Sequence, residues 1–291
     1  MQLLFLLEQV VNGLVLGGYY LLIALGLSLI FSVGGVVNLA HGAFYAFGAY
    51  ASLEISKHLG FGAGIVLSPV AVGLLGILFE RFLLRRFYTA DPILSLLMTF
   101  GLAMVAEQLL RIIWGAAPLA VSMPAALKGS VVLGDFLFSR YRLLLLAVVA
   151  GVLTGVWFLL NRTSFGCVVR AAIQRPDMVA ALGIRQQPYM AAIVMLGVGM
   201  AALGGALLAP ITIVHPAMGA EIIIVAFVVV VIGGLGSFWG VVLAAVLVGV
   251  VRGITIHFMA AAGEASTYVL MLLVLLLRPR GLLGERIEKF E

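Results

Sequence analysis

Long apolar runs joined by short polar segments are the dominant pattern along this chain. Each run is about 20 residues long, the length that a helix needs to cross ~30 Å of hydrocarbon. The strands of a membrane barrel would instead alternate apolar and polar positions over roughly 10 residues. The pattern predicts an all-α, polytopic membrane helix bundle of eight to nine spans, a single domain over 1–291. The runs lie at 10–31, 37–56, 62–80, 93–113, 143–160, 189–209, 221–234, 240–260 and 267–277.

Two glycine-rich joints interrupt this pattern. "SVGGVVN" (32–38) and "GGLGSFWG" (233–240) each connect two apolar runs with no charged residue between them. A loop that reaches water usually carries charge, whereas unwound backbone inside a membrane is tolerated where protein or a water-filled cavity surrounds it. We therefore expect glycine-broken helices near 32–56 and 221–260.

The run after the first joint carries a narrow polar stripe. Its members recur at the three- and four-residue spacings of one helix face, beside a second stripe of Gly42, Ala46 and Ala49. Two interpretations stay open for His41: hydrogen bonding to neighbouring helices, or lining a solute path. For the whole stripe the solute path is favoured, and Asn12 in the first run is a candidate to join it. The stripe consists of Asn38, His41, Tyr45, Gly48 and Ser52.

Glycine spacing predicts close contacts between helices. The chain has 35 glycines, many of them four residues apart. Lipid tails are as apolar as leucine, so helices in a bilayer associate through close backbone packing that small residues permit. The pairs are Gly13/Gly17, Gly151/Gly155, Gly236/Gly240 and Gly249/Gly253.

Composition places the chain in lipid and removes other classes from consideration. Hydrophobic residues make up 64% and charged residues 10%, with a mean hydropathy of +1.25, whereas soluble domains carry about 25% charged residues. The net charge of +5 does not predict a nucleic-acid partner, because membrane proteins gather Lys and Arg on the cytoplasmic side. Cys167, the single cysteine, excludes a disulfide within the chain. We expect no cleaved signal peptide, since no basic segment precedes the long first run.

The distribution of Lys and Arg predicts a periplasmic N-terminus and a cytoplasmic C-terminus. Eleven basic residues fall in 81–91, 161–188 and 278–291, against five on the opposite side. The first set is Arg81, Arg85, Arg86, Arg162, Arg170, Arg175, Arg185, Arg278, Arg280, Arg286 and Lys289. The second set is Lys57, Arg111, Lys128, Arg140 and Arg142.

Charged residues within the apolar runs need partners. Glu107 and Arg111 have the four-residue spacing of a helical ion pair. Arg252 lies well inside a predicted span, where an unpaired charge costs on the order of 3 kcal/mol. Either Glu221 or Glu264 could neutralise it.

The chain offers no catalytic, metal or cofactor site. None of its three lysines, Lys57, Lys128 and Lys289, follows a glycine, so the G-K-[ST] of a phosphate loop is absent. No metal-ligand cluster or Ser/His/Asp series stands out. Transport would need a partner or an ion gradient as its energy source, and a membrane-embedded enzyme has the least support.

The segment 161–188 is predicted to form a docking element for another subunit. "SFGCVVRAAIQR" and "DMVAALG" each fit a short helix, with Pro176 and Asp177 as a start and Gly183 as a C-terminal cap. Two short helices with small apolar faces suit docking. The alternative is an amphipathic helix lying on lipid headgroups.

Three motifs resemble one family of transporters. "NLAHGAFYAFGAY" (38–50) resembles the N-x-A-H-G-x-x-Y-x-x-G-A-Y signature of permease subunits from high-affinity branched-chain amino-acid ABC importers, the LivH branch. "RAAIQRPDMVAALGI" (170–184) is similar to the cytoplasmic coupling motif of that family, and "VVVVIGGLGSFWG" (228–240) to its late glycine motif. Arg170 departs from the glutamate that opens the general ABC coupling motif, and Arg175-Pro176 departs from the polar or acidic pair of related chains.

The resemblance implies a bacterial inner-membrane permease for branched-chain amino acids, or for a small polar relative such as urea or an amide. It implies a second, similar permease, two cytoplasmic ATP-binding subunits and a periplasmic solute-binding protein as partners. ATPase coupling would fall to Arg170, Ala171, Ala172, Asp177, Ala181 and Gly183, and the solute path to Asn12, Asn38, His41, Tyr45 and Ser52. The alternative is a channel or ion-coupled transporter that needs no ATPase.

Overall fold

Eleven α-helices and one β-hairpin form the residues that the computed structural model describes, 2–88, 91–133 and 136–284. The strands β1 (Ser130–Leu133) and β2 (Phe136–Ser139) pair antiparallel, and short 3-10 helices lie at Leu84–Phe87, Ala125–Leu127 and Ala260–Ala262. The all-α prediction is confirmed, with the hairpin as a small addition. The helices are α1 (Gln2–Gly34), α2 (His41–Leu59), α3 (Phe61–Phe82), α4 (Pro92–Trp114), α5 (Arg140–Arg162), α6 (Ser164–Gln174), α7 (Pro176–Ala181), α8 (Gln187–Leu208), α9 (Met218–Gly233), α10 (Phe238–Phe258) and α11 (Gly263–Leu277).

The number of long helices is roughly consistent with the predicted eight to nine spans. Seven helical segments of the described chain are long and apolar enough to cross a membrane, and they contain α1, α3, α4, α5, α8, α10 and α11. The other two long helices are α9, with 16 residues, and α2, whose end carries Glu54, Lys57 and His58. Together these make nine helices in the bundle.

Both glycine joints break helices where the sequence predicts. α1 ends at Gly34 and α2 begins at His41, while α9 ends at Gly233 and α10 begins at Phe238. Gly35, Gly234 and Gly236 have φ values of 63°, 98° and 84°, which residues with a Cβ rarely adopt.

Small residues set the closest helix contacts, as the spacing predicts for the pairs Gly13/Gly17 and Gly249/Gly253. A Cβ on Gly13 would lie 2.6 Å from the Cα of Val250, and one on Gly17 would lie 2.6 Å from the carbonyl oxygen of Ala245, so α1 and α10 touch backbone to backbone. Gly249 and Gly253 face the same part of α1, and Gly240 abuts Gly233. Gly151 and Gly155 meet nothing within 4 Å in the described chain, so this pair makes no close contact between its helices.

The core lies among α1, α2, α8 and α9, and the remaining long helices surround it. Most of α1 and α8 is buried, whereas α3, α4, α5 and α11 are mostly exposed. Large apolar side chains such as Leu74, Phe100 and Leu273 cover those outer faces. A surface of this kind suits contact with lipid, because lipid tails accept apolar side chains without cost.

Most of the basic residues assigned to the cytoplasm lie at or between helix ends. Arg81, Arg85 and Arg86 surround the end of α3, Arg162 ends α5, and Arg278 follows α11. Arg286 and Lys289 from the same set lie outside the described residues.

Candidate functional site

The backbone between α1 and α2 is unwound deep inside the bundle. His41 Nε2 lies 3.1 Å from the carbonyl oxygen of Ile23, and Ile23 is about 16 Å along α1 from Gly34 at 1.5 Å per residue. The chain therefore turns back along α1 before α2 begins. Asn38 lies in this unwound segment, so the expectation that it shares a helix face with His41 is wrong: α2 begins only where the chain has returned into the core.

Thr99 of α4 supplies hydrogen-bond partners to this unwound backbone. Its hydroxyl oxygen accepts from the Leu39 N–H at 3.2 Å and lies 3.3 Å from the carbonyl oxygen of Val37. Backbone groups at membrane depth need protein or water partners, because hydrocarbon offers none. One side chain therefore makes an irregular segment tolerable inside the bundle.

The polar side chains around this segment are buried and incompletely paired. The Nε2–H of His41 donates to the Ile23 carbonyl, while its Nδ1 has no partner among the described residues. Neither side-chain polar atom of Asn38 has one in that part of the chain either, and Asn38 is fully buried. A buried polar group without a partner costs about 1–3 kcal/mol, so these side chains carry a cost that packing alone does not explain.

Close packing of α2 against α8 and α9 leaves no open space beside the polar stripe in this conformation. A Cβ on Gly42 would overlap the carbonyl oxygen of Gly219 on α9, and one on Gly48 would lie 2.6 Å from the carbonyl carbon of Ala202 on α8. Gly205 of α8 is pressed in the same way against the backbone of Tyr45. Helix α2 is thus held against α8 and α9 with no space for a solute between them.

A polar cavity of about 850 Å³ lies beside the stripe, at Tyr45. Ligand pockets typically measure roughly 300–1,000 Å³. The cavity is bounded by α1, α2, α9, α10, α11 and the connection between α8 and α9. Its polar and charged lining includes Tyr19, Tyr20, Tyr45, His215, Glu221, Arg252, Glu264, Thr267 and Tyr268.

The structure brings only some of the predicted path residues together. Tyr45 lines the cavity, whereas His41 and Asn38, four and seven residues before it, do not. Ser52 is buried on the side of α2 that faces Gly64 of α3, away from the cavity. Asn12 is near the start of α1, where its side-chain oxygen accepts a hydrogen bond from Arg142 of α5. Which neighbour each helix face meets depends on tertiary packing, which spacing alone does not reveal.

Two ion pairs occur among the charged residues within the apolar runs. Arg111 and Glu107 are 2.6 Å apart, which confirms the predicted pair. Arg252 lies 3.7 Å from Glu264, so the structure chooses this carboxylate over Glu221. Glu221 instead lies 3.6 Å from Nε2 of His215. The polar lining from Tyr19, Tyr20 and His215 was missed from the sequence, because no motif marks it.

The two short helices predicted within 161–188 are present as α6 and α7. The Thr163 hydroxyl oxygen caps α6 by accepting from the Gly166 N–H at 3.2 Å, and Pro176 opens α7. Gly183 has a φ of 74° and donates its N–H to the Ala180 carbonyl at 2.9 Å, as a C-terminal cap does. The sequence therefore specifies this element locally.

The predicted coupling residues differ in their exposure to the surroundings. Ala172 is buried, and the remainder are exposed: Arg170, Ala171, Asp177, Ala181 and Gly183. Three large apolar side chains of the loop also face outward, and the sequence interpretation missed them. They are Ile173, Met178 and Leu182, named here the exposed apolar loop residues. The i, i+4 spacing of Met178 and Leu182 is the one signal that could have revealed them.

The cavity and the short helices α6 and α7 lie at opposite ends of α8. Gln187 begins α8 shortly after α7, and Leu208, its last residue, lines the cavity. The two residues are about 32 Å apart along the helix at 1.5 Å per residue, close to the thickness of the hydrocarbon core.

Comparison with known proteins gives consistent matches over nearly the whole chain. The family described as "Branched-chain amino acid transport system / permease component" matches residues 9–278. The chain is 27% identical over 308 residues to the high-affinity branched-chain amino acid transport system permease protein LivH of Escherichia coli K12, covering 99% of both chains. It is 27% identical over 301 residues to the corresponding protein BraD of Pseudomonas aeruginosa, covering 97% of both. Among solved structures, PsaBC from Streptococcus pneumoniae in complex with Fab has a TM-score of 0.49 at 11% identity, covering 91% of this chain and 89% of that chain.

Proposed function

Because this chain belongs to the family of permease components of branched-chain amino acid transport systems, we propose that it forms the membrane path of an ATP-driven importer for branched-chain amino acids. The chain is a multi-pass membrane transport subunit of the inner membrane. The proposed partners are a second, homologous permease, two cytoplasmic ATP-binding subunits and a periplasmic solute-binding protein. The observation that carries the proposal is a polar cavity at one end of α8 and exposed docking helices at the other.

In the proposed path the solute enters the cavity from the periplasmic side and passes Tyr45. His41 and Asn38 then receive it when α2 separates from α8. Their unpaired polar atoms support this order, because they gain partners only if another conformation exposes them. Ser52 and Asn12 are left out of the path, since the first faces α3 and the second binds Arg142.

Force from ATP hydrolysis would reach α8 through the coupling loop. Arg170, Ala171, Asp177 and Ala181 are exposed there, and the loop leads directly into the first turn of α8. Because α8 packs against α1, α2 and α3, a movement of its cytoplasmic end would shift the contacts that close the stripe. Transport without an ATPase, the alternative function, is not favoured by the family to which the chain belongs.

Reconstitution tests the proposed function. The chain would be purified from its own host with the subunits that accompany it, placed in proteoliposomes and supplied with the solute-binding protein. Uptake of labelled L-leucine should require both ATP on the cytoplasmic side and the binding protein. Liposomes that contain this chain alone should take up none. Leucine uptake by the lone chain, or its absence in the complete system, would contradict the proposal.

Replacing Asn38 with leucine should separate transport from stability. The substitution removes a buried polar group that has no partner among the described residues, so the protein should gain about 1 kcal/mol or more in stability. Leucine uptake should nevertheless fall several-fold, because the path loses a polar contact. Thermal unfolding in nanodiscs and uptake in proteoliposomes measure the two effects.

The matched control for Asn38→Leu is Thr99→Val on the facing helix. It removes the hydroxyl that accepts from the Leu39 N–H, so stability should fall by about 1–3 kcal/mol. If Asn38→Leu instead lowers stability and leaves uptake normal, Asn38 serves only to hold the bundle together.

A further inference from the structure

We propose that the cavity beside Tyr45 binds an amino acid as its zwitterion, with the guanidinium of Arg252 holding the carboxylate. The inference rests on the proposed function and deepens it, because it assigns a recognition site to the permease itself. It starts from Arg252, a charged residue of α10 that lines the cavity.

Arg252 lies within a membrane-spanning helix, where an unpaired charge costs free energy. Its side chain is only 17% exposed, and its guanidinium lies 5.7 Å from the centre of the Tyr20 ring. An arginine inside a membrane span costs about 3 kcal/mol or more, so it marks a functional position unless a close partner neutralises it. Arg111 shows the close case, with its partner Glu107 at 2.6 Å.

The carboxylate that pairs with Arg252 lies farther away than the one that pairs with Arg111. Glu264 lies 3.7 Å away, whereas charge-assisted hydrogen bonds are about 2.7–2.9 Å long. No hydrogen bond from Arg252 to another residue occurs within 2–88, 91–133 and 136–284. The planar guanidinium therefore keeps donors that can bind a carboxylate in a bidentate manner.

The rest of the cavity complements the other parts of an amino acid. Glu221 and Glu264 offer carboxylates on the same lining for the ammonium group. Leu208, Ile211 and Val225 form apolar wall for an aliphatic side chain. Thr267 lies at the cavity wall, and its buried hydroxyl has no partner in the described part of the chain, so a small side-chain movement would let it reach a bound ligand.

This charge pattern selects among solutes. Urea and amides carry no carboxylate and would gain little from Arg252. An inorganic anion would bind the guanidinium, but the two nearby carboxylates would repel it. A zwitterion uses both signs of charge: the largely buried Arg252 takes its carboxylate, and the exposed Glu221 or Glu264 takes its ammonium group.

Saturation-transfer difference NMR on the purified transport complex in nanodiscs, without the binding protein, tests the inference. L-leucine should give signals with the wild type, and they should weaken at least tenfold with Arg252→Gln. L-leucinamide, which lacks the carboxylate, should compete at least tenfold less well than L-leucine. Arg111→Gln, a matched arginine in another ion pair, should leave leucine binding unchanged. Equal competition by leucinamide on the wild type, or no signal from leucine, would overturn the inference without any variant.

The double variant Arg252→Gln/Glu264→Gln separates ligand binding from a purely structural ion pair. It removes both charges, so a structural role predicts that leucine binding and uptake recover. A carboxylate-binding role predicts that both stay low, and recovery would therefore refute the site. Failure of this inference and failure of the proposed function give different results. Normal leucine uptake with Arg252→Gln would refute the inference alone. No leucine uptake by the wild-type complex would refute the proposed function.

Discussion

Gly205→Leu should leave almost no folded permease in the membrane. A Cβ at this position of α8 would overlap the carbonyl oxygen of Tyr45 and lie 3.1 Å from the backbone nitrogen of Ala49. Overpacking against side chains costs about 1–3 kcal/mol, and here the obstacle is backbone that cannot rotate away. We expect a loss of several kcal/mol, a large part of the roughly 5–15 kcal/mol of a typical protein. Size-exclusion chromatography of a fluorescent fusion and the thermal midpoint measure the loss.

Gly151→Leu on α5 is the matched control for Gly205→Leu. Gly151 is exposed and a Cβ there would meet nothing within 4 Å. The control should fold in normal amounts with an unchanged midpoint. If the two variants behave alike, the contact between α2 and α8 is not the tight packing described above.

Leu182→Asp combined with Met178→Asp should abolish ATP-dependent uptake while the permease still folds. Both belong to the exposed apolar loop residues and are 76% and 61% exposed, so the free chain loses little when they become charged. In a docked interface each aspartate would bury an unpaired charge. A central interface residue of this kind is typically worth 2 kcal/mol or more, a factor of about 30 in affinity. Co-purification of the ATP-binding subunit and leucine uptake are the measurements.

Leu59→Asp provides the comparison for the coupling variants. Leu59 is 66% exposed and ends α2, outside the coupling loop. It should keep both co-purification and uptake. Normal uptake by the Met178→Asp/Leu182→Asp protein would remove the coupling role from α7.

Features that depend on local sequence were predictable. Helix lengths follow from the apolar runs, and α7 follows from Pro176 at its start and Gly183 at its end. Both glycine joints follow from the absence of charge between runs. These signals are carried by neighbours in the chain, so no knowledge of tertiary structure is needed.

Features that depend on which helices meet were not predictable. Ser52 and Tyr45 share a predicted stripe, yet one faces α3 and the other lines the cavity. Gly151 and Gly13 both begin four-residue glycine pairs, but only Gly13 touches another helix. The choice of Glu264 over Glu221 for Arg252 likewise depends on the packing of α10 against α11.

The hydroxyl of Thr99 joins the outermost layer of the protein to its centre. Helix α4 is mostly exposed to its surroundings, yet it carries the group that binds the backbone on both sides of Asn38. A helix that faces hydrocarbon responds to bilayer thickness by tilting. Any such tilt would move the Thr99 hydroxyl relative to the Leu39 amide, and this one hydrogen bond would pass the displacement from the lipid-facing surface to the unwound backbone in the core.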